Sequence, residues 1–144
     1  MQTEPAKVLL VDDNRDLVLA LELRLRANDY QILVAPDGRS AIFLAQAQKP
    51  LAVVLDLHLP NEDGFEVMRQ LHSSPDISDV PVIIVSADCS LPTQHRALEA
   101  GAHAFLEKPV NHRQLLHTLR DIQMRSKDRN VPSAKLPGRT EAEK

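Results

Sequence analysis

Three short runs in this sequence are apolar at every position: Val8-Leu9-Leu10-Val11, Leu51-Ala52-Val53-Val54-Leu55 and Val82-Ile83-Ile84-Val85. A strand with one face in water alternates apolar and polar residues, because successive side chains point to opposite faces. Runs without alternation predict strands buried on both faces, the condition of a parallel sheet covered by helices on each side. Two weaker runs, Ile32-Leu33-Val34-Ala35 and Ala104-Phe105-Leu106, bring the set to five.

The segments between these runs carry helical spacing. Asn14 or Asp16 is placed to cap a first helix bearing Leu17, Leu21 and Leu25. Pro36-Asp37-Gly38 turns into a second helix with Ala41, Leu44 and Ala45 facing inward. Phe65, Met68 and Leu71 mark a third, which stops before Pro75. Pro92 suits the first turn of a fourth and Gly101 its C-terminal cap. Asn111 caps a fifth, whose stripe is Leu115, Leu119 and Ile122. The order βαβαβαβαβα predicts an α/β fold with a parallel sheet and right-handed crossovers. In such sheets, ligands bind beyond the carboxyl ends of the strands, where strand order reverses. The pattern ends near Arg125. Residues 126–144 hold Pro132, Pro137 and Gly138 among scattered charges and read as a flexible tail or the start of a linker. One domain over 6–125 remains.

Composition narrows the classes. A chain of 144 residues suits one domain with a real core and is short for two. A formal net charge of −3 argues against nucleic acid or an acidic membrane surface as the main partner. No apolar run approaches the roughly 20 residues that span a bilayer. The opening Met1-Gln2-Thr3-Glu4-Pro5 lacks the charged-then-apolar order of a signal peptide. Cys89 is the single cysteine, so neither an internal disulfide nor a thiolate metal cluster can form. A cytoplasmic location is expected.

Several polar residues fall at predicted strand ends. Asp12 and Asp13 end the first strand, Asp56 the third and Ser86 the fourth, and Lys108 follows the fifth. A parallel sheet gathers all of them on one edge. Three carboxylates converging there repel one another unless a cation intervenes. An all-oxygen cluster with room for water suits Mg²⁺, a hard ion held by one or two carboxylates and a phosphate.

The segments Val8 to Asn14, Leu55-Asp56-Leu57-His58-Leu59-Pro60-Asn61-Glu62-Asp63-Gly64, Val85-Ser86-Ala87 and Lys108-Pro109 together resemble the signatures of the response-regulator receiver family, of the chemotaxis-regulator type. They occur in the family's order and spacing over roughly residues 6–125. The resemblance implies a flavodoxin-like (βα)5 fold with strand order 2-1-3-4-5. It also implies a phosphoryl acceptor at Asp56, not a turnover enzyme. Asp12, Asp13, Asp56 and the backbone carbonyl of His58 would hold Mg²⁺ or Mn²⁺, and Lys108 and Ser86 would bind the phosphoryl group. Phe105 would rotate inward when Ser86 moves, and Pro109 would follow a cis peptide. The partners implied are a sensor histidine kinase or histidine phosphotransfer protein, then a downstream protein target or output domain. A phosphorylation-dependent dimer belongs to the same repertoire; direct nucleic-acid contact and membrane binding do not.

Other features stay open at this level. The His58 side chain either faces solvent or touches the phosphoryl group and the attacking water. His72, His95, His103, His112 and His117 show no metal-ligand clustering and are expected on the surface. Cys89 is either a redox site or a small residue of no special role. Leu19 and Leu23 point away from the Leu17, Leu21 and Leu25 stripe, so they are either extra core or an apolar strip on which the phosphodonor docks. A haloacid-dehalogenase-like phosphatase also uses a strand-end Asp, but resembles Asp-x-Asp, where this chain has His58. A degenerate docking module would have a broken acidic set, and here it is complete. The chain is either a stand-alone regulator or a module of a longer regulator or hybrid kinase.

Overall fold

The computed structural model describes residues 4–129, with side chains through 126. Five strands form one sheet: β1 (Lys7–Val11), β2 (Gln31–Ala35), β3 (Ala52–Asp56), β4 (Val82–Ser86) and β5 (Ala104–Glu107). All pairings are parallel, and the spatial order is β2-β1-β3-β4-β5. Five helices alternate with them: α1 (Arg15–Ala27), α2 (Gly38–Gln48), α3 (Gly64–Ser73), α4 (Leu91–Glu99) and α5 (His112–Arg129). The fold is the doubly wound one that the order of elements predicts.

The absence of alternation in the strands has its explanation in two cores. On one face Leu10, Val54 and Ile83 pack with Leu21 and Leu25 of α1 and Leu115 and Leu119 of α5. On the other Leu9, Val53 and Ile84 pack with Ala41 and Ala45 of α2, Met68 and Leu71 of α3 and Ala97 of α4. Adjacent residues of each central strand thus enter different cores, and every residue of β3 and β4 is buried.

The helix ends follow local chemistry. The Leu17 N–H donates to Asn14 Oδ1 (3.1 Å), so Asn14 and not Asp16 is the cap of α1. Asp37 accepts from the Ser40 N–H (2.8 Å) at the start of α2, and Asn111 from the Gln114 N–H (3.0 Å) at the start of α5. Pro92 lies in the first turn of α4, and Gly101 beyond its end has φ +102°, the left-handed conformation that glycine adopts without a Cβ penalty.

Four details differ from the sequence reading. In α1 the residue buried beside Leu21 and Leu25 is Val18, and Leu17 is half-buried, because the 3.6-residue period drifts off a strict spacing of four. Phe65 is half-buried too, its ring lying under the Arg96 guanidinium at 4.0 Å. Between β3 and α3 a two-residue antiparallel ladder pairs His58 with Asp63 and Leu59 with Glu62, and Asn61 between them has φ +58°. Finally, α5 continues to Arg129, past the boundary placed at residue 125, although the last buried side chain among those described is Ile122. The rest of the expected tail, 130–144, lies outside the described residues. Among the described residues, no helix is long and apolar enough to cross a membrane.

Candidate functional site

Register builds the site. Val11 of β1 pairs with Leu55 of β3, so the residues following β1 stand beside the end of β3. One oxygen from each of Asp12, Asp13 and Asp56 lies within 4.8 Å of the others. Asp12 and Asp56 are 8% and 5% exposed, whereas Asp13 reaches solvent. Lys108, one residue past β5, reaches across: its Nζ lies 3.2 Å from Asp12 Oδ2 and 3.4 Å from Asp56 Oδ2. One ammonium faces three carboxylates, so negative charge stays in excess in a partly desolvated place.

Backbone groups orient these side chains. The Asn14 N–H donates to Asp12 Oδ1 (2.9 Å), and the His58 N–H donates to Asp56 Oδ1 (3.1 Å), which leaves each Oδ2 to Lys108. Lys108 is held by its own N–H, which donates to the Ser86 carbonyl (2.9 Å). Its peptide bond to Pro109 is cis, as expected. The donor set is all oxygen, from three carboxylates that each bring one oxygen within 4.8 Å of the others. That is what a hard divalent cation of the Mg²⁺ type requires, with Asp12, Asp13 and Asp56 in position to hold it.

Ser86, the last residue of β4, is fully buried, and its Oγ accepts from the Asp88 N–H at 3.0 Å. The oxygen is thus used as an acceptor while the hydroxyl proton is left to donate elsewhere. Phe105 pairs with Ile84 in the ladder, stands half-buried and packs against the core on the α2–α4 side.

Sequence reasoning missed two pieces of the surroundings. In the β4–α4 loop, Asp88 Oδ2 accepts from the Thr93 hydroxyl (2.8 Å) and Oδ1 from the Ser90 N–H (3.1 Å). The Thr93 hydroxyl first, then Ser90, hold the Asp88 carboxyl below the usual carboxylate range, and the exposed His58 adds a smaller effect of the same sign. The signal was an Asp followed at short spacing by Ser and Thr, residues that bond locally to backbone. The second piece is Glu62, whose carboxylate accepts from the Gly38 N–H at the start of α2 (3.0 and 3.1 Å). A contact across 24 positions leaves no local sequence signal.

The remaining candidates sort themselves by surroundings. A hydrogen bond with the Glu107 carboxylate first, then burial, push the Cys89 thiol up, which disfavours the thiolate and fits the reading of a small residue. Among the described residues, no histidine joins a metal-capable group. Leu19 and Leu23 are 57% and 62% exposed, so neither is extra core. Leu19 lines a shallow groove with Asp12, Asp13, Arg15, Glu22 and Val34, immediately beside the carboxylates, whereas Leu23 does not line it. A depression of about 570 Å³ lies at the opposite edge of the sheet, among Lys7, Leu51, Asp76 and Pro81, remote from Asp56.

Comparison with known proteins agrees with this geometry. The family model for the response regulator receiver domain matches residues 8–120. Response regulator MprA of Mycolicibacterium vanbaalenii is 38% identical over 122 residues, which is 85% of this chain and 52% of that protein. Its counterpart in Mycobacterium bovis is 36% identical over 121 residues, 84% of this chain and 52% of that one. The chain therefore spans about half the length of these curated relatives. Among solved structures, a response regulator from Chloroflexus aurantiacus superposes with a TM-score of 0.78 at 28% identity, covering 83% of this chain and 98% of that one. The receiver domain of a sensor histidine kinase from Pseudomonas aeruginosa, solved with a magnesium ion coordinated in its active-site cleft, gives 0.76 at 28% identity and the same coverages. With the family model matching residues 8–120 and relatives above 30% identical over more than four fifths of its length, the chain belongs to the response regulator receiver domain family.

Proposed function

We propose that this domain accepts a phosphoryl group on Asp56, in a Mg²⁺-dependent step, from a histidine kinase or histidine phosphotransfer protein, and that the phosphoryl group switches the binding of a downstream target or output domain. The observation that carries this reading is the convergence of Asp12, Asp13 and Asp56 on one point, with Lys108 3.4 Å from the Asp56 carboxylate.

In the transfer, an Asp56 oxygen forms a bond to phosphorus as the phosphorus–nitrogen bond of the donor phosphohistidine breaks, and the imidazole nitrogen keeps the electron pair. A carboxylate needs no proton removed to act as nucleophile, so the site needs no general base beside Asp56. The His58 N–H fixes one carboxylate oxygen and Lys108 places positive charge near the other, where phosphoryl oxygens arrive. Bound by Asp12, Asp13, Asp56 and the His58 carbonyl, Mg²⁺ or Mn²⁺ would offset the charge on the phosphoryl oxygens. The domain is an acceptor that takes part in its own phosphorylation and dephosphorylation, not a turnover enzyme. A phosphatase of the Asp-x-Asp kind needs a second carboxylate where His58 stands. A cytoplasmic location fits such a donor.

The buried Ser86 hydroxyl would leave the Asp88 N–H and donate to the phosphoryl group, and the half-buried Phe105 ring would follow into the space. A charge-assisted hydrogen bond is worth about 1.5–3 kcal/mol, which moves an equilibrium by roughly one to two powers of ten. The face formed by α4, β5 and α5 then carries the signal. Leu19, in the groove beside the carboxylates, and Leu23 on the same exposed side of α1 would meet the phosphodonor.

Three outcomes follow. Asp56→Asn abolishes the labile phosphate formed with acetyl phosphate, and Asp13→Ala abolishes the dependence of that reaction on Mg²⁺; a labile phosphate on the Asp56→Asn protein sinks the reading. Leu19→Arg with Leu23→Arg slows transfer from the phosphodonor protein by about tenfold, the loss of a typical interface anchor, with acetyl phosphate labelling and melting temperature unchanged. Equal slowing with both donors removes the docking role. Beryllofluoride, a phosphoryl mimic, shifts the NMR signals of the Phe105 ring and the amides of 87–100. Occupancy of Asp56 with those signals unmoved shows that the Ser86–Phe105 coupling is absent.

A further inference from the structure

The loop between β3 and α3 presents two backbone groups of His58 to the site: the N–H, which holds Asp56 Oδ1 at 3.1 Å, and the carbonyl proposed as a metal ligand. The position of that loop therefore sets both the aim of the acceptor and the shape of the cation site. Part of its hold is local. The ladder pairs His58 with Asp63, and the Gly64 N–H donates to the Leu57 carbonyl (3.1 Å). The root of the loop is also held to the sheet, by the Leu57 N–H donating to the Val85 carbonyl (3.3 Å) and by the burial of Leu57 and Leu59 in the core, whereas its outer limb, from Asn61 to Asp63, stands farther from these anchors.

Glu62 supplies a tether from outside. Its two carboxylate oxygens accept from the Gly38 N–H, the first amide of α2 and one of the four that a helix N-terminus leaves without an internal partner. The negative carboxylate also lies at the positive end of the α2 dipole. Glu62 stands opposite Leu59 in the ladder, directly beside the His58–Asp63 pair, so a fixed Glu62 fixes His58. The fit is close. A Cβ on Gly38 would collide with the Glu62 carboxylate and stand 2.6 Å from Val67 Cγ2, so only glycine leaves room for the tether. The cap of α2 is provided separately: Asp37 accepts from the Ser40 N–H and, among the described residues, makes no hydrogen bond or ion pair to the loop.

We infer that Glu62 is a positioning residue for phosphoryl acceptance: by binding the N-terminus of α2 it fixes the loop that aims Asp56 and presents the His58 carbonyl. The inference rests on the proposed function above and adds to it a residue remote from the reacting atoms. Its role is separable from simple helix capping, because Asp37 caps the same helix end without bonding to the loop.

The test compares Glu62→Ala, Glu62→Gln and Asp37→Ala with the parent protein, far below their melting temperatures, by amide hydrogen exchange without metal and by Mg²⁺ titration. Glu62→Ala should accelerate exchange at the His58 amide and weaken Mg²⁺ binding by about tenfold, the lower end of what loss of an outer support costs a metal site. Glu62→Gln keeps one acceptor oxygen and should fall between. Asp37→Ala should accelerate exchange at Ser40 while leaving His58 and Mg²⁺ affinity as in the parent. Should Glu62→Ala and Asp37→Ala behave alike at His58 and towards Mg²⁺, Glu62 is only a second cap and the inference is overturned. A parent protein that binds Mg²⁺ and takes phosphate while Glu62→Ala matches it overturns the inference and leaves the proposed function standing. A parent that does neither removes both.

Discussion

Asp12, Asp13 and Asp56 repel one another, and the molecule is organised around keeping them together. Each offers an oxygen within 4.8 Å of the others, and among the described residues Lys108 is the cation paired with Asp12 and Asp56. Left to themselves, such groups would separate. They are held by the sheet. Asp12 follows β1 and Asp56 ends β3, two paired strands covered on both faces, and moving either apart would pull those strands out of register. Stability in the two cores is thus what keeps an unfavourable cluster of charge in place.

The same arrangement separates rigid parts from movable ones. Asp56 stands at the end of a strand that has no exposed residue, which would suit the proposed phosphoryl acceptor, whose aim must not wander. Ser86 and Asp88 stand where β4 gives way to the loop before α4, with Asp88 bound to Ser90, the N-cap residue, and to Thr93 in the first turn of the helix. Those bonds are local and partly exposed, whereas every residue of β3 is buried. The strand end is the rigid part and the loop the part more easily rearranged.

The fold was legible because apolar runs of four or five residues without alternation, separated by stretches of helical spacing, fit strands buried on both faces. Val82 to Val85 has no alternation, and both of its faces turn out to be covered. Asp56, Lys108 and Ser86 were legible because a parallel sheet sends every strand end to one edge, so a list of strand ends is a list of neighbours. Legibility failed where contact distance in sequence grew or where spacing was judged by eye. Glu62 reads as one more acidic loop residue until the Gly38 N–H appears beside it. Val18 was passed over in favour of Leu17 because a spacing of four drifts against the helical period within two turns. Leu19 and Leu23 could be recognised as off the stripe, but their exposure had to be seen. The continuation of α5 to Arg129 had no apolar residue to announce it, since helix can persist beyond its buried stripe on backbone bonds alone.

The central claim is that excess carboxylate charge at the strand ends makes this place a divalent-cation site. An NMR titration of the unphosphorylated protein with Mg²⁺, following every backbone amide, tests it most directly. The account predicts that the amides of Asp12, Asp13, Asp56 and His58 shift together and saturate with a single binding constant, with those around Asp76 and Asp79 at the opposite edge unmoved. Unshifted amides at the strand ends, or shifts centred on Asp76 and Asp79, would contradict it.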